Sequence, residues 1–556
     1  MSLKVAEGIV KTLEKLGVQI IFGIPGSQTC PFYDALYSSS IRHVLVRHEQ
    51  MASYMADAYA KFTGKPGVCD GTGGPGATNL LTGIATSWTD SVPILAFTGQ
   101  QPLDQIGKGA FQELDLVSIF KPVTKWSTQL VKAERTAETI KEAYRVATWG
   151  KPGPVHVNLP VDVQLQNLTA KTAALLDKWL YDLSPPRPSG DPDAIRKASK
   201  ILAFSSRPII ISGGGVHYSG RAWKALRALA ESLEIPVATT FNGRGSFPED
   251  HPLSIGRMGL HAESYNDDAL SQSDVVLAVG CRFASMSTRR WSNINPNAIL
   301  IHVDIDPGNI GRNYPARIGI VGDAGRVLNL MLEEISRMKV ENERRKEWIS
   351  YLNNAKEKWR RSRWFIESRS GDALKPQRVY MEIRKLLKRD AVFTLDAGNN
   401  KLWASTFLEI YEPCTWIQSG CFGPMGYALP AAIACKLADP SRLVVALCGD
   451  GGFYMSLHEL STSIQERAPV IVCILNDMAL GTIKHHQRSL YGERFISVDF
   501  ENPDFASVAE AFGCIGLEVK TLSQLRSAMK EAIRDCEKGE TVVINMYIDG
   551  EEPLPP

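Results

Sequence analysis

The chain has 556 residues, of which 44% are hydrophobic and 22% charged, with 62 basic side chains against 60 acidic ones. This length exceeds a single hydrophobic core, so we expect roughly three to four domains of an ordinary globular protein. Because basic and acidic residues are nearly equal in number, the overall charge gives no electrostatic attraction for nucleic acid. No apolar run or signal-peptide pattern points to a membrane, so a cytoplasmic location is expected.

The ten cysteines and ten histidines show no spacing typical of a transition-metal site, since neither C-x-x-C nor H-E-x-x-H occurs. Cys435, Cys448 and Cys473 lie inside apolar runs, which favours buried free thiols over disulfides. We therefore predict no transition metal.

The first segment alternates helices and buried strands. Apolar spacing predicts a helix over 5–16, and a strand over 20–24 ends at the turn Pro25-Gly26-Ser27. A strand over 42–47 leads to His48 and Glu49, before a helix over 51–62. An acidic residue at such a junction usually complements the helix dipole.

Residues Gly71 to Gly76 satisfy the pattern G-x-G-x-x-G. We reject a dinucleotide site here, because Pro75 interrupts the motif and no acidic strand end follows at the expected distance. A strand over 153–160 closes this first segment.

Residues 164–194 contain four prolines and indicate a linker. Three buried strands are then predicted at 207–212, 274–280 and 298–304. The first runs into the turn Gly213-Gly214-Gly215 and the third ends at Asp304, a pattern that favours nucleotide binding. The charged stretch 334–364 is predicted to be a solvated linker helix.

Two acidic residues follow neighbouring strands of the last segment. Strands over 443–447 and 470–475 enclose a helical pattern, so their ends should share one edge of a parallel sheet. Asp450 and Asp477 can then meet on one hard cation, while Gly449, Gly451 and Gly452 let a phosphate approach the backbone. A diphosphate bridged by Mg²⁺ fits this pattern.

This spacing resembles the signature of thiamine-diphosphate enzymes, in which G-D-G is followed some two dozen residues later by N-N. The resemblance implies that Asp450, Asp477 and the carbonyl of Ala479 hold Mg²⁺. Asn476-Asp477 departs from the Asn-Asn pair, which adds a charge without removing an oxygen ligand. In the same family a glutamate within R-H-E activates the cofactor, so Arg47-His48-Glu49 implies that Glu49 is catalytic.

Further motifs resemble the acetohydroxyacid synthase branch of that family, namely 73–79, 110–113 and 121–125. The resemblance implies that Phe111, Gln112 and Lys125 line the substrate funnel. It also implies cofactor contacts for Gly26, Asn79 and Met425, the last supporting the bent cofactor. Synthases of this type bind FAD across the middle domain. The positions implied here are Gly213, Gly214, Gly215, His261, Arg282, Asp304 and Asp323, with ADP or coenzyme A as the alternative ligand.

The resemblance covers the whole chain and implies an α/β fold of three doubly wound parallel sheets. The predicted domains are 1–165 for the pyrimidine ring, 190–340 for the nucleotide and 370–556 for the diphosphate and Mg²⁺. In this family the two halves of a site come from different subunits, so a homodimer or homotetramer is expected. Whether a regulatory subunit binds this chain is left open by the sequence.

The implied reaction is decarboxylation of pyruvate or a similar 2-oxo acid, with transfer of the enamine to an acceptor. A 2-hydroxyacyl-CoA or oxalyl-CoA type lyase and a pyruvate-oxidase-like flavoenzyme are the alternatives.

Two departures from the synthase pattern concern the acceptor. His486 replaces the tryptophan that favours a larger second oxo acid, and the run Arg282 to Met286 lacks the second arginine of R-F-D-D-R. Losing that charged partner should weaken binding of an anionic acceptor by roughly 1.5–3 kcal/mol, unless Arg289 or Arg290 replaces it. We therefore predict little preference for 2-oxobutyrate.

Overall fold

Three parallel sheets of six strands each form the framework of the computed structural model, which describes residues 3–178, 183–220, 222–340, 343–362, 365 and 374–554. The strands of the first sheet are β1 Ile20–Gly23, β2 Arg42–Leu45, β3 Gly67–Gly71, β4 Ile94–Gln100, β5 Trp126–Gln129 and β6 Pro154–Pro160. Those of the second are β7 Pro208–Ser212, β8 Val237–Thr239, β9 Ser254–Arg257, β10 Val275–Val279, β11 Ile299–Asp304 and β12 Ile318–Val321. Those of the third are β13 Val392–Leu395, β14 Trp416–Gln418, β15 Val444–Gly449, β16 Ile471–Asn476, β17 Ile515–Val519 and β18 Val542–Tyr547.

Helices connect these strands, as parallel pairing requires. With the first sheet the chain forms α1 Val5–Lys15, α2 Cys30–Tyr37, α3 Glu49–Thr63, α4 Pro75–Asp90, α5 Leu116–Phe120, α6 Thr136–Thr148, α7 Val161–Leu165 and α8 Ala170–Lys178. Next come α9 Pro192–Phe204, α10 Gly215–Tyr218, α11 Ala222–Leu233, α12 Ser264–Gln272, α13 Ala324–Ser336 and α14 Glu343–Arg360. The last are α15 Pro376–Leu386, α16 Asn399–Phe407, α17 Ala428–Ala438, α18 Asp450–Tyr454, α19 Leu460–Gln465, α20 Gly481–Tyr491, α21 Phe505–Ala511 and α22 Leu522–Glu537.

The strand orders place one switch point in each sheet. The first sheet runs β2-β1-β3-β4-β6-β5 and the third β14-β13-β15-β16-β18-β17, which is the same arrangement, while the second runs β12-β11-β10-β7-β8-β9. The order reverses between β1 and β3, between β7 and β10, and between β13 and β15. Open α/β sheets bind ligands outside the carboxyl ends of strands at such points, so three crevices are available.

Apolar side chains cover both faces of the middle sheet. Ile210, Leu277 and Val303 belong to a core on one face, while Ile209 and Val276 belong to a core on the other. A sheet buried on both sides has near-continuous apolar strands, which is the pattern of its sequence. The predicted fold of doubly wound parallel sheets is confirmed. The eighteen strands of the described residues lie inside the predicted ranges 1–165, 190–340 and 370–556, whose bounds as domains stay a prediction.

The chain divides into two compact units that are not simple sequence blocks. One unit joins Met1–Pro186 with Phe422–Ser441 and Met455–Pro469, and the other joins Arg187–Cys421, Arg442–Tyr454 and Val470–Pro556. Within the first unit α17 packs on α3, where Tyr427 Oη donates to Asp57 Oδ2 at 2.6 Å. Lys61 Nζ lies 2.7 Å from the same carboxylate oxygen, so a buried charge network joins the two helices.

Two predictions about connecting segments were wrong in part. The linker 164–194 includes α8, whose Leu176 lies in the core of the first sheet, while residues 179–182 lie outside the described residues. The stretch 334–364 contains the end of α13 and then α14, while residues 341, 342, 363 and 364 lie outside the described ones. One face of α14 is buried rather than solvated, because Trp348 Nε1 donates to Pro208 O and Arg345 Nη1 to Leu233 O.

Cys435, Cys448 and Cys473 are buried free thiols, as predicted. Within the described ranges, no helix combines the length and hydropathy that crossing a membrane requires.

Candidate active site

Glu49 is the first residue of α3 and is held by a neighbouring helix. Asn79 Nδ2, on α4, donates to Glu49 Oε2 at 2.9 Å. The other carboxylate oxygen lies against Gly76, where an added Cβ would be 3.0 Å from Glu49 Oε1. The structure thus brings together two of the predicted site residues. The Glu49 carboxyl is half-buried, and its catalytic role stays a prediction.

The turn before Glu49 rests on a buried carboxyl that sequence reasoning missed. Arg47 N donates to Glu459 Oε1 at 2.8 Å, and both residues belong to the first unit. Glu459 is fully buried, and burial raises the pKa of its carboxyl to about 7. Its second oxygen has no hydrogen-bond partner among the described residues. The only signal in the sequence is that Glu459, directly before α19, is the single acidic residue of an otherwise uncharged run.

Asp450 and Asp477 follow adjacent strands of the third sheet. β15 and β16 pair in parallel with Gly449 opposite Leu475, so both acids leave the same sheet edge, as predicted. Burial raises the pKa of both carboxyls, and the charge of Asp450 adds to the effect of burial in raising the pKa of Asp477 to about 7. A divalent cation between them would offset this repulsion, so the carboxylates fit the metal that the sequence implies.

Asn502 completes this cluster and was not predicted. Its Nδ2 donates to Asp450 Oδ2 at 2.7 Å and to Asn476 Oδ1 at 3.0 Å. Asn502 Oδ1 is buried and has no hydrogen-bond partner within the described part of the chain. An orphaned oxygen on a residue that bonds the Asp450 carboxylate suits a hard cation or one of its water ligands. Ala479 pairs with Asp499 in an isolated antiparallel bridge, which anchors the turn after β16.

The three glycines of the G-D-G-G run have different surroundings. An added Cβ at Gly449 would meet only Asn400 Nδ2, at 4.0 Å, so the backbone there is open to a ligand. Gly451 N already donates to Asp450 Oδ1 at 2.9 Å. At Gly452 a Cβ would lie 2.7 Å from the Asp396 carboxyl, so packing accounts for this glycine without a phosphate.

The residues assigned to the substrate funnel are only partly brought together. Phe111 is 75% exposed, and the neighbouring Gln112 accepts a hydrogen bond from Gln28. Lys125 Nζ instead donates to three carbonyls around the end of α6, those of Val146, Trp149 and Lys151. That arrangement caps a helix C-terminus, and the role of Lys125 in substrate binding stays a prediction.

Met425 and Gly26 both lie in the first unit. Tyr54 Oη, on α3, donates to Met425 O at 3.4 Å. Gly26 is needed for close packing, because an added Cβ would lie 2.2 Å from Thr72 Oγ1. Since Gly26 follows β1 and Thr72 follows β3, this contact closes the base of the switch-point crevice in the first sheet.

The predicted nucleotide residues surround the switch point of the middle sheet. The Gly213–Gly215 turn follows β7 and Arg282 follows β10, the two strands between which the order reverses. Gly213 N and Gly215 N donate to Val279 O and Gly280 O, so the two strand-end turns are joined through their backbones. Asp304 ends β11, and its Oδ1 accepts from Asp306 N at 2.8 Å.

Three other positions have structural roles at this end. Asp323 Oδ1 accepts from Arg326 N at 3.0 Å and is the N-cap of α13. His261 has a left-handed backbone with φ of 55°, and its carbonyl accepts from Arg257 Nη2 at 2.8 Å. Arg289 pairs with Asp267 at 2.7 Å rather than reaching out as a replacement arginine.

Family models cover most of the chain in the order of the three sheets. The N-terminal TPP binding domain of thiamine pyrophosphate enzymes matches residues 3–119. The central domain matches residues 195–331, and the C-terminal TPP binding domain matches residues 396–546.

Similar proteins span nearly the whole chain. A probable acetolactate synthase large subunit of Methanocaldococcus jannaschii is 40% identical over 100% of this chain and 93% of its own. An acetolactate synthase large subunit of Corynebacterium glutamicum is 38% identical over 98% and 87%. An acetolactate synthase isozyme 3 large subunit of Escherichia coli is 36% identical over 99% and 96%. The similarity therefore spans all three sheets.

Proposed function

Because the chain belongs to the thiamine pyrophosphate enzyme family, in the branch that contains acetolactate synthase large subunits, we propose that it decarboxylates pyruvate or a similar 2-oxo acid and transfers the remaining acyl unit to an acceptor. The carboxylate pair Asp450 and Asp477 on adjacent strand ends carries this proposal. The full-length similarity to proteins named acetolactate synthase supports carboligation over the lyase and oxidase alternatives.

Asp450, Asp477 and the Ala479 carbonyl would hold Mg²⁺, and the open backbone at Gly449 would admit the diphosphate. When bound, thiamine diphosphate supplies a carbon nucleophile and stores the electron pair left by decarboxylation. Glu49 would exchange a proton with the aminopyrimidine ring of a bound cofactor, and Asn79 Nδ2 orients its carboxyl by donating to Oε2. Gln112 and Phe111 bind the oxo acid beside this carboxyl.

The acceptor is tested by product analysis with equal concentrations of pyruvate and 2-oxobutyrate. We expect acetolactate-type products from pyruvate and little selectivity for 2-oxobutyrate, because His486 stands where synthases have tryptophan and Arg289 is held by Asp267. His486→Trp should raise the share of product formed with 2-oxobutyrate as the acceptor. The same substitution at the neighbouring His485 serves as the control. Strong selectivity in the unmodified protein would contradict the acceptor prediction, while activity on acyl-CoA substrates alone would favour a lyase.

FAD in the middle domain is a separate proposal, supported by the glycine turn at the switch point and by Asp304 at the end of β11. The purified protein should be yellow and should release flavin on denaturation. A colourless protein that takes up no added FAD would contradict this proposal. Binding of ADP or coenzyme A by the same preparation would then identify the alternative ligand.

We also propose that the chain acts in the cytoplasm as a homodimer or homotetramer, as the family resemblance implies. Exposed apolar side chains around α20 support an interface with another copy, since Ile483, Leu490, Tyr491 and Ile496 are all exposed. Such a patch on a charged helix is typical of a surface that another protein covers.

A further inference from the structure

Gln28 lies in the switch-point crevice of the first sheet and connects its two sides. It follows β1, and the Oγ1 hydroxyl of Thr72, which follows β3, donates to Gln28 Oε1. Gln28 Nε2 then donates to Gln112 Oε1 at 3.1 Å. The three residues form one hydrogen-bonded chain within the first unit, and it ends at a residue of the substrate funnel.

The donor and acceptor roles in this series of hydrogen bonds determine which amide atom of Gln112 stays available to a ligand. In the structure Gln28 Oε1 accepts from the Thr72 hydroxyl and the Gln28 amide nitrogen faces Gln112, which accepts with Oε1. Gln112 Nε2 then has no partner within the described residues and is the free end. An amide NH₂ is a donor only, and therefore matches the carboxylate or keto oxygen of an oxo acid.

Packing keeps Gln28 from changing this arrangement. Its side chain is only 2% exposed, and its carbonyl accepts from Gln164 Nε2 at 2.8 Å. An added Cβ at Gly99 would lie 2.6 Å from Gln28 Cβ, which shows how closely β4 approaches. Gln112 itself has a left-handed backbone with φ of 62°, so its side chain leaves the turn in a direction that this neighbour must support.

The network also borders the catalytic carboxyl. An added Cβ at Gly76 would be 3.0 Å from Thr72 Cγ2 and 3.0 Å from Glu49 Oε1. Thr72 therefore contacts the same surface of α4 as Glu49 does. A shift of Thr72 or Gln28 would alter where Gln112 lies relative to that acid.

We propose that Gln28 is a positioning residue that fixes the Gln112 amide with its NH₂ group toward the incoming 2-oxo acid. This inference rests on the proposed function. Gln28 does not touch the substrate; it acts through Gln112, and the Thr72 hydroxyl holds its amide oxygen. A positioning role of this kind affects substrate binding more than cofactor binding or the fold.

Three variants test the network. Gln28→Met keeps the length of the side chain without its hydrogen bonds, Thr72→Val keeps the shape of threonine without the hydroxyl, and Thr72→Ser keeps the hydroxyl. We expect Gln28→Met to raise the KM for pyruvate about tenfold with kcat changed less than about threefold, because the hydrogen bond that holds Gln112 is lost. Thr72→Val should show a smaller rise, and Thr72→Ser should stay close to the wild type.

Measurements of cofactor affinity and melting temperature distinguish a positioning role of Gln28 from damage to the fold. Gln377→Met is the matched control, because Gln377 is a buried glutamine whose Nε2 bonds Glu552 in the other unit. An unchanged KM in Gln28→Met would overturn the inference, as would a KM rise matched by an equal loss of thiamine diphosphate affinity. If the wild-type protein forms no product from any 2-oxo acid, the proposed function is wrong. The inference, which rests on that function, is then wrong as well.

Discussion

Replacing Glu49 with glutamine is expected to lower turnover of the 2-oxo acid by about 10²–10⁴-fold, the usual contribution of a positioned acid or base. Glutamine has the shape of glutamate and can still accept from Asn79 Nδ2, but it cannot exchange a proton with the bound ring. Binding of thiamine diphosphate should therefore change little. Steady-state turnover and cofactor titration on the same preparation measure both quantities.

Glu138→Gln provides the matched control, because Glu138 is an exposed acid on α6 that pairs with Arg135. It makes the same chemical change away from the site and should keep full turnover. Wild-type rates in Glu49→Gln would remove Glu49 from the catalytic assignment. A parallel loss of cofactor binding would show that the residue acts in binding rather than in proton exchange.

The second large effect is expected from Asp450→Ala, which should weaken thiamine diphosphate binding by at least about a hundredfold at fixed Mg²⁺. Without this carboxylate the Mg²⁺ that would offset the diphosphate charge loses a ligand, and Asn502 Nδ2 loses its shorter hydrogen bond. The fold should persist, because the change also removes one of two repelling buried acids. Titration followed by tryptophan fluorescence measures the affinity, and a melting curve without cofactor checks the fold.

Asp477→Asn is the control for this variant. It restores the Asn-Asn pair of the family and keeps an oxygen ligand, so cofactor affinity should stay within about tenfold of the wild type. Equal losses in both variants would indicate that charge, not ligation, governs binding. Unchanged affinity in Asp450→Ala would place the metal elsewhere.

Sequence reasoning worked where one local pattern determines the structure. Apolar runs ended by turn residues placed β15 and β16, and a helical pattern between them implied parallel neighbours, so Asp450 and Asp477 could be put on one edge. The position of Glu49 at a strand-to-helix junction was predicted from the patterns of that strand and helix, whereas its catalytic assignment rests on the resemblance of Arg47-His48-Glu49 to R-H-E. These predictions needed only short-range information.

The missed residues depend on contacts between distant parts of the chain. Gln28 meets Gln112 across 84 positions, and Arg47 meets Glu459 across 412. No periodicity encodes such pairs. Composition also misled at α14, where a charged stretch hid the buried face that carries Arg345 and Trp348. A long charged side chain can bury its stem and satisfy its head on backbone carbonyls.

Glycine patterns show a different limit of prediction from the sequence. Gly452 and Gly213 fit a phosphate-binding interpretation, yet each also lies where a Cβ would collide with the Asp396 carboxyl or with Gly280 O. A glycine that avoids such a collision looks the same in the sequence as one that admits a ligand. Only the open space at Gly449 distinguishes it from these two.

The division of the chain into interleaved units affects how the protein is made. Borders follow residues 186, 421, 441, 454 and 469, so the first unit is incomplete until the last third of the chain exists. Helix α3 is buried from Met51 to Ala60 in the finished fold, and its partner α17 ends at Ala438. At about 5–20 residues per second, a ribosome needs roughly 20 to 75 seconds to pass from the end of α3 to the end of α17.

During that interval the side of α3 that later receives α17 is exposed, and Asp57 lacks the hydroxyl of Tyr427. Exposed apolar surface on a growing chain favours association with other chains, so nascent copies translated together on one messenger are at risk of aggregating, and binding by a chaperone would protect them. A fragment that stops at residue 186 would keep this exposed surface permanently. The same interleaving makes the N-terminal third a poor candidate for separate expression, although it contains a complete six-stranded sheet.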